Sequence, residues 1–445
     1  MYLANSFSLK TLVDLLRDRA ISQPNQLAYT FLVDGETEET SLTYQELDQK
    51  AYAIASLLQS LNATGERALL LYPQGLEFIA AFFGCLYAGV IAVPVYPPRR
   101  NQRMTRLQAI AQDAQAKFAL TTTPVLTNIE SSFKEEPELA ALHCIATDNI
   151  ASLPTLHWVA PNISSDTLAF LQYTSGSTGT PKGVMVSHGN LLQNSADLDK
   201  GWVHTKDSVI VTWLPTFHDM GLIYGVIQPL YKGLPCYMLS PVSFLQQPIR
   251  WLQAISRYRG SHTGAPNFAY DLCVHKITPE QRATLDLSSW QMALNGAEPV
   301  RADVLKRFAE TFKPCGFEPT AFCPGYGLAE ATLKVAAVRR TDAPVLYTVQ
   351  AGALEQNRIL EATEDQQNMR TLVGCGRSEI DTKIVIVHPE SLTQCSPEEV
   401  GEIWVSGSSV AQGYWMRPEE TERTFRAYLA DTGDGPFLRT GDLGL

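Results

Sequence analysis

Hydrophobic and polar positions first fall into a regular pattern at Thr43-Tyr-Gln-Glu46. A Thr followed three residues later by Glu is the wording of a capping box, in which each side chain satisfies the other residue's backbone N–H. Leu47, Ala51, Ile54, Leu58 and Leu61 then recur at helical spacing, which predicts a helix packing one face on a core. Short apolar runs follow at Ala68–Tyr72, Phe118–Thr121, Ala169–Tyr173, Ser208–Trp213 and Gln291–Leu294. They have the texture of strands buried on both faces, and helical stretches separate many of them. This alternation predicts an α/β fold with two parallel-type sheets flanked by helices. Ligands in such folds sit at the carboxyl ends of the strands.

Beyond about residue 340 the texture changes. Lys383–Val387 and Glu402–Val405 read as strands with a turn-rich stretch and no long helix between them. The expected organisation is two α/β subdomains, about 1–165 and 166–340, and a small β-barrel-like subdomain over 341–445. A polar segment at about 341–370 reads as a surface insertion.

One stretch imitates a membrane span: Phe78–Val93 carries no charge. It is shorter than the ~20 residues a spanning helix needs. Gly84 and Gly89 interrupt it and Pro94 ends it, so a buried helix running into a buried strand is expected.

Charge narrows the possible partners. The 35 basic and 46 acidic residues give a formal net charge of −11, and no Lys/Arg-rich stripe is present. This speaks against nucleic acid as a partner, and any anion must be held by a local site. The eight cysteines are scattered without a CxxC pair, and the N-terminal residues lack the basic and apolar regions of a leader. A reduced, cytoplasmic setting is expected.

The strongest chemical signal runs from Leu171 to His188. An apolar strand ends at Tyr173, and Thr174-Ser-Gly-Ser-Thr-Gly-Thr-Pro-Lys182 follows. Gly176 and Gly179 let backbone N–H groups curl around an anion; Thr174, Ser175, Ser177 and Thr178 add donors, and Lys182 adds a charge. Pro181 stands where a Walker loop requires Gly, so this is a different phosphate loop. A surface linker would have no use for this ordered mix.

The stretch TSGSTGTPKG resembles the phosphate loop of the adenylate-forming superfamily, which includes acyl-CoA synthetases, luciferases and peptide-synthetase adenylation domains. Trp213–Gly221 (WLPTFHDMG), Asn295–Pro299 (NGAEP), Pro324–Glu330 (PGYGLAE), Gly401–Gly407 (GEIWVSG) and Thr440–Gly444 (TGDLG) continue the resemblance in the superfamily's order. HDMG, GAEPV, YGLAEAT and GAPNFAYDL are most similar to the fatty acyl-AMP ligases, and the polar segment after residue 340 lies where that branch carries an insertion. The resemblance implies ATP-dependent activation of a medium- or long-chain fatty acid as its acyl-adenylate, with release of pyrophosphate. Transfer to an acyl carrier protein of polyketide or lipid biosynthesis would follow, with ATP and Mg²⁺ required. An acyl-CoA synthetase is the neighbouring alternative. A non-catalytic acyl-adenylate-binding module is the alternative from another class.

The resemblance also assigns roles. Glu330 is implied as an oxygen ligand to Mg²⁺, against the plain reading of a solvated acid. Tyr326 offers a ring for adenine to stack on, or is core packing. Asp442 would accept hydrogen bonds from ribose hydroxyls, or is a turn acid. Gly296, Ala297, Glu298, Gly327 and Leu328 complete the implied nucleoside set. His218 is placed beside the reacting carboxylate, which is already ionised at neutral pH and needs no general base; with Lys182 and Glu330 it makes up the implied catalytic set. Asp219 is a helix cap or a wall of the same pocket. Met220, Gly221, Ile223, Pro266 and Phe268 either line an acyl tunnel or belong to the core. The superfamily continues past TGDLG into a small mobile domain bearing a lysine that contacts the reacting groups. A chain ending at Leu445 is therefore expected to bind nucleotide and acyl chain but to react slowly.

Overall fold

A computed structural model describes residues 9–98, 104–150, 157–174, 180–362 and 368–445. The chain divides into two compact units. The first comprises residues 1–195, 213–241 and 414–416, and the second 196–212, 242–413 and 417–445.

The first unit contains a six-stranded sheet ordered His143–Ala146, Phe118–Thr121, Arg67–Leu70, Ile91–Pro94, Leu168–Thr174 and Lys182–Ser187. The first five strands run parallel, and the sixth returns antiparallel with Thr174 opposite Lys182. The capping box at Thr43 and Glu46 is formed and starts the helix Tyr44–Ser60; Leu61 falls at its C-cap. Phe78–Val93 resolves as expected into most of the buried helix Leu76–Ala88 and most of the strand Ile91–Pro94. Among the described residues no helix is long and apolar enough to cross a membrane. A parallel pair, Leu27–Leu32 with Cys236–Leu239, also lies in this unit, with Glu39–Thr43 antiparallel to the former.

The second unit carries the strands Lys334–Ala337, Phe322–Gly327, Met292–Asn295, His262–Ala265 and Ile210–Thr212, in that order. All but the first are parallel to their neighbours in this run. The expected strand Ser208–Trp213 shortens at its start because the Ser208 hydroxyl accepts the Thr205 N–H at 2.9 Å and holds a turn. An aromatic core of Trp251, Tyr270, Trp290, Phe308, Phe317 and Phe322 packs edge to face, the arrangement favoured by ring quadrupoles. Two small antiparallel sheets follow. Lys383–Val387, Gly401–Ser406 and Leu438–Gly444 form one, over a core of Val385, Val387, Trp404, Leu429 and Phe437. The polar segment supplies half of the other, in which Leu346–Gln350 pairs with Met369–Val373.

The helix His188–Trp202 leaves the last strand of the six-stranded sheet. Ser187 and Asn190 cap its start reciprocally, at 3.0 and 3.1 Å. His188 is buried and its Nδ1 accepts the Leu12 N–H at 3.2 Å, which requires a neutral imidazole. Burial pushes its pKa down to about 4, against a weaker upward pull from Asp14. The folded value lies below the ordinary one, so the unfolded chain takes up the proton first as pH falls, and stability is lost on going from about 6.5 to about 4. The loss attributable to this group approaches about 3 kcal/mol at the acid end. Urea unfolding followed from pH 7 to pH 4 should show this decline, and His188→Gln should flatten it.

Candidate active site

In the first unit, Thr174 ends its strand and Lys182 begins the next, directly opposite. Ser175, Gly176, Ser177, Thr178 and Gly179 lie outside the described residues. The Lys182 ammonium sits 5.1 Å from the centroid of the Tyr414 ring, a cation–π distance. Tyr414 is placed there by a bridge to Val184 and by the Trp415 N–H, which donates to the Gly183 carbonyl at 2.7 Å. Nothing in the local sequence ties Tyr414 to Lys182, and the pair was missed for that reason.

The segment carrying His218 is fixed by two glutamines. The Gln74 side chain donates to the Leu214 carbonyl at 2.9 Å and accepts the Thr216 N–H at 3.0 Å, while Gln172 donates to the Phe217 carbonyl at 3.0 Å. His218 is half-exposed, with 52% of its side chain accessible against 12% for Asp219. Its Nδ1 lies 2.7 Å from Asp219 Oδ1, which also accepts the Met220 N–H at 2.6 Å. The Met220 N–H also lies 3.3 Å from Nδ1, but a carboxylate oxygen at 2.7 Å cannot donate, and this shorter contact favours a proton on Nδ1. Desolvation lowers the imidazolium pKa, but the hydrogen bond and charge of Asp219 outweigh it and leave it above the ordinary value. Asp219 thus caps the helical segment and orients His218.

Met220–Ile227 is a π-helix with every residue buried. Gly221 packs so closely on the preceding loop that a Cβ would stand 2.1 Å from the Pro215 carbonyl oxygen, so no other residue fits without moving the backbone. Met220 and Ile223 are buried side chains of this segment.

In the second unit, the implied nucleoside residues follow the carboxyl ends of parallel strands. Gly296, Ala297 and Glu298 succeed Met292–Asn295, with Ala297 in the left-handed region at φ 66°. The Asn267 side chain holds this turn, taking the Asn295 amide at 3.3 Å and the Arg301 N–H at 3.1 Å. Glu298 accepts the Phe268 N–H at 2.6 Å, so its carboxylate serves the start of the helix Asn267–Lys276. Pro266 precedes that helix, and the Phe268 ring is 44% exposed.

Tyr326 and Gly327 end the strand Phe322–Gly327; Leu328 and a single turn, Ala329–Ala331, follow. The Glu330 carbonyl accepts the Ala411 N–H at 2.9 Å, and the Thr332 hydroxyl donates to the Ser409 carbonyl at 2.6 Å, which fixes the turn. The Tyr326 hydroxyl donates to Asp442 Oδ2 at 2.7 Å, a link between residues 116 apart in sequence. Burial, and then the carboxylates of Asp442 and Glu330, raise the phenol's pKa against an opposing effect of the nearby Thr440 hydroxyl, so Tyr326 stays a donor. One oxygen of Asp442 is thereby engaged. Among the described residues no group of three or more His, Cys, Asp or Glu side chains is placed to hold a metal by itself. A single carboxylate on a half-buried turn suits Mg²⁺, which commonly takes one or two protein carboxylates and completes its shell with phosphate oxygens and water.

The turn carrying Glu330 follows the strand Phe322–Gly327, on which Tyr326 pairs with Asp442, and α/β folds bind ligands at the ends of such strands. The family described as "AMP-binding enzyme" matches residues 16–415, and the chain belongs to it. A medium-chain-fatty-acid–[acyl-carrier-protein] ligase, JamA of Moorena producens, is 52% identical over 440 residues, covering 98% of this chain and 74% of the relative. The long-chain-fatty-acid–AMP ligase FadD23 of Mycobacterium tuberculosis is 38% identical over 451 residues, 97% of this chain and 75% of that protein. The crystal structure of a fatty acyl-adenylate ligase from L. pneumophila, in complex with acyl adenylate and pyrophosphate, superposes with a TM-score of 0.90 at 42% identity, covering 98% of this chain and 75% of that one. Within its family the chain is thus one of the fatty acyl-AMP ligases.

The His218–Asp219 contact makes a direct prediction. In Asp219→Asn the charge that raises the imidazolium pKa is gone, so the His218 ring proton followed by NMR should titrate at lower pH than in the parent protein. An unchanged midpoint would show that Asp219 does not control this histidine.

Proposed function

We propose that the protein activates a medium- or long-chain fatty acid with ATP and passes the acyl group to the phosphopantetheine thiol of an acyl carrier protein. The observation that carries this reading is the likeness, over 98% of the chain, to a solved ligase holding acyl adenylate and pyrophosphate. The relative at 52% identity, a fatty-acid–[acyl-carrier-protein] ligase, supports the choice of acid and acceptor.

In the first step a carboxylate oxygen attacks the α-phosphorus of ATP, the bond to the pyrophosphate oxygen breaks, and a mixed anhydride forms. In the second, the thiol sulfur attacks the acyl carbonyl and AMP leaves. Neither step needs a covalent intermediate on the protein, whose task is positioning and charge stabilisation. The loop from Thr174 to Lys182 receives the phosphates, and the Tyr414 ring holds the Lys182 ammonium in place between turnovers. Glu330 would hold Mg²⁺, which neutralises phosphate charge when bound. Tyr326 and the 296–298 turn border the base, and the remaining oxygen of Asp442 faces the ribose hydroxyls. His218 presents Nε2 to the carboxylate, oriented through Nδ1 by Asp219. The buried π-helix Met220–Ile227 supplies apolar wall for the alkyl chain.

Calorimetric titration with dodecanoyl-adenylate and, separately, with AMP tests the acyl assignment. Burial of as few as four methylenes, at ~0.8 kcal/mol each, makes the acyl-adenylate bind about 200-fold more tightly. Equal affinities would leave the nucleotide reading standing and overturn the fatty one. The acceptor is tested by supplying acyl-adenylate with either free coenzyme A or a phosphopantetheinyl carrier protein. Thioester should form on the carrier, and preferential acylation of free coenzyme A would instead make this an acyl-CoA synthetase.

A further inference from the structure

Asp442 does not sit on a regular strand. In the antiparallel pair Gly401–Ser406 and Leu438–Gly444, Glu402 faces Leu443 and Trp404 faces Arg439. Three residues, Thr440, Gly441 and Asp442, therefore stand opposite the single residue Ile403, so the edge bulges and frees backbone groups from the ladder. Gly441 takes the left-handed conformation, φ 74°, that the bulge needs.

A bulge of this kind has no intrinsic reason to hold one shape, and side chains fix this one. The Thr440 hydroxyl donates to the Ile403 carbonyl at 2.7 Å and accepts the Asp442 N–H at 3.1 Å. Glu402 is buried beneath. Its Oε1 accepts the freed Gly441 N–H at 3.0 Å, while its Oε2 accepts from Arg439 Nε at 3.1 Å and Nη2 at 2.7 Å. The Arg439 guanidinium lies 5.4 Å from the Trp404 ring centroid. Burial pushes the Glu402 carboxyl pKa up, but the hydrogen bonds from Arg439 and Gly441 outweigh this and keep it below the ordinary range. A charged carboxylate thus grips the backbone one residue before Asp442.

We propose that Glu402, held by Arg439, is a positioning residue for the nucleoside: it fixes the bulge so that Asp442, tied to Tyr326 through Oδ2, presents Oδ1 to the ribose hydroxyls. This rests on the reading of Asp442 as the ribose ligand. A merely stabilising Glu402 would affect all nucleotides alike, whereas a positioning role concerns only those with hydroxyls to recognise.

Calorimetric titrations with AMP and with 2′,3′-dideoxy-AMP separate these cases. The parent protein should prefer AMP, and Asp442→Ala should abolish that preference; if it does not, the ribose reading of Asp442 fails and the proposal with it. Glu402→Gln keeps the side-chain shape but loses the charge. It should weaken AMP by about 10-fold or more, the scale of a hydrogen bond to a charged group, and leave the dideoxy nucleotide within about twofold. Arg439→Gln, which frees the carboxylate from the other side, should change the two affinities in the same pattern and serves if Glu402→Gln does not fold. An Asp442-dependent preference that survives in both folded variants, or an equal loss for both nucleotides, overturns the positioning role.

Discussion

Parallel strands buried on both faces can show a functional group to a ligand only where they end. The apolar side chains of Phe118–Thr121, Leu168–Thr174 and Met292–Asn295 are committed to packing above and below the sheet. Several of the residues that the resemblance assigns to binding come after such a strand. The segment that resembles a phosphate loop follows Leu168–Thr174 in the sequence, the 296–298 turn follows Met292–Asn295, Pro266 and Phe268 follow His262–Ala265, and Glu330 follows Phe322–Gly327. Site and core are therefore not separate parts of this sequence.

The loops in turn need anchors, and these are buried or half-buried polar side chains rather than apolar ones. Gln74 and Gln172 hold the His218 segment, Asn267 holds the 296–298 turn, and Thr332 holds the turn of Glu330. In the second unit a buried pair, Lys334 with Asp197 at 3.4 Å, has the same character. Asp197 also accepts the Glu379 N–H at 2.7 Å, so one carboxylate ties the helix His188–Trp202 to an irregular segment. Removing one partner would strand the other charge away from water, so such pairs are difficult to alter singly.

How much of this was legible depended on whether the governing contact was local. The helix Tyr44–Ser60 and the strands Lys383–Val387 and Phe118–Thr121 were readable because capping and apolar runs act over a few residues. The TGD turn stood out as wording, as did TSGSTGTPKG, most of whose loop lies outside the described residues. The His218–Asp219 contact was not, although the residues are adjacent, because sequence alone does not say that Asp219 turns toward the ring as well as capping the helix. The Tyr326–Asp442 and Lys182–Tyr414 contacts join residues far apart in the chain and leave no periodic trace. Glu402 offered a faint signal, an acid inside the apolar strand wording GEIWV, whose meaning depends on where Arg439 lies. The polar segment after residue 340 read only as polar, since its paired strands are largely exposed and lack the alternation that marks a buried face.

The π-helix Met220–Ile227 has a consequence for how such a chain can diverge. Its hydrogen bonds span one residue more than those of an α-helix, so each turn contains an additional side chain. Losing or gaining a single residue there would rotate all that follows by roughly a quarter turn and bring a different set of apolar groups to the same buried face. A lineage can thus reshape this buried face by a change of length where point substitution is blocked, as it is at Gly221 by the carbonyl of Pro215.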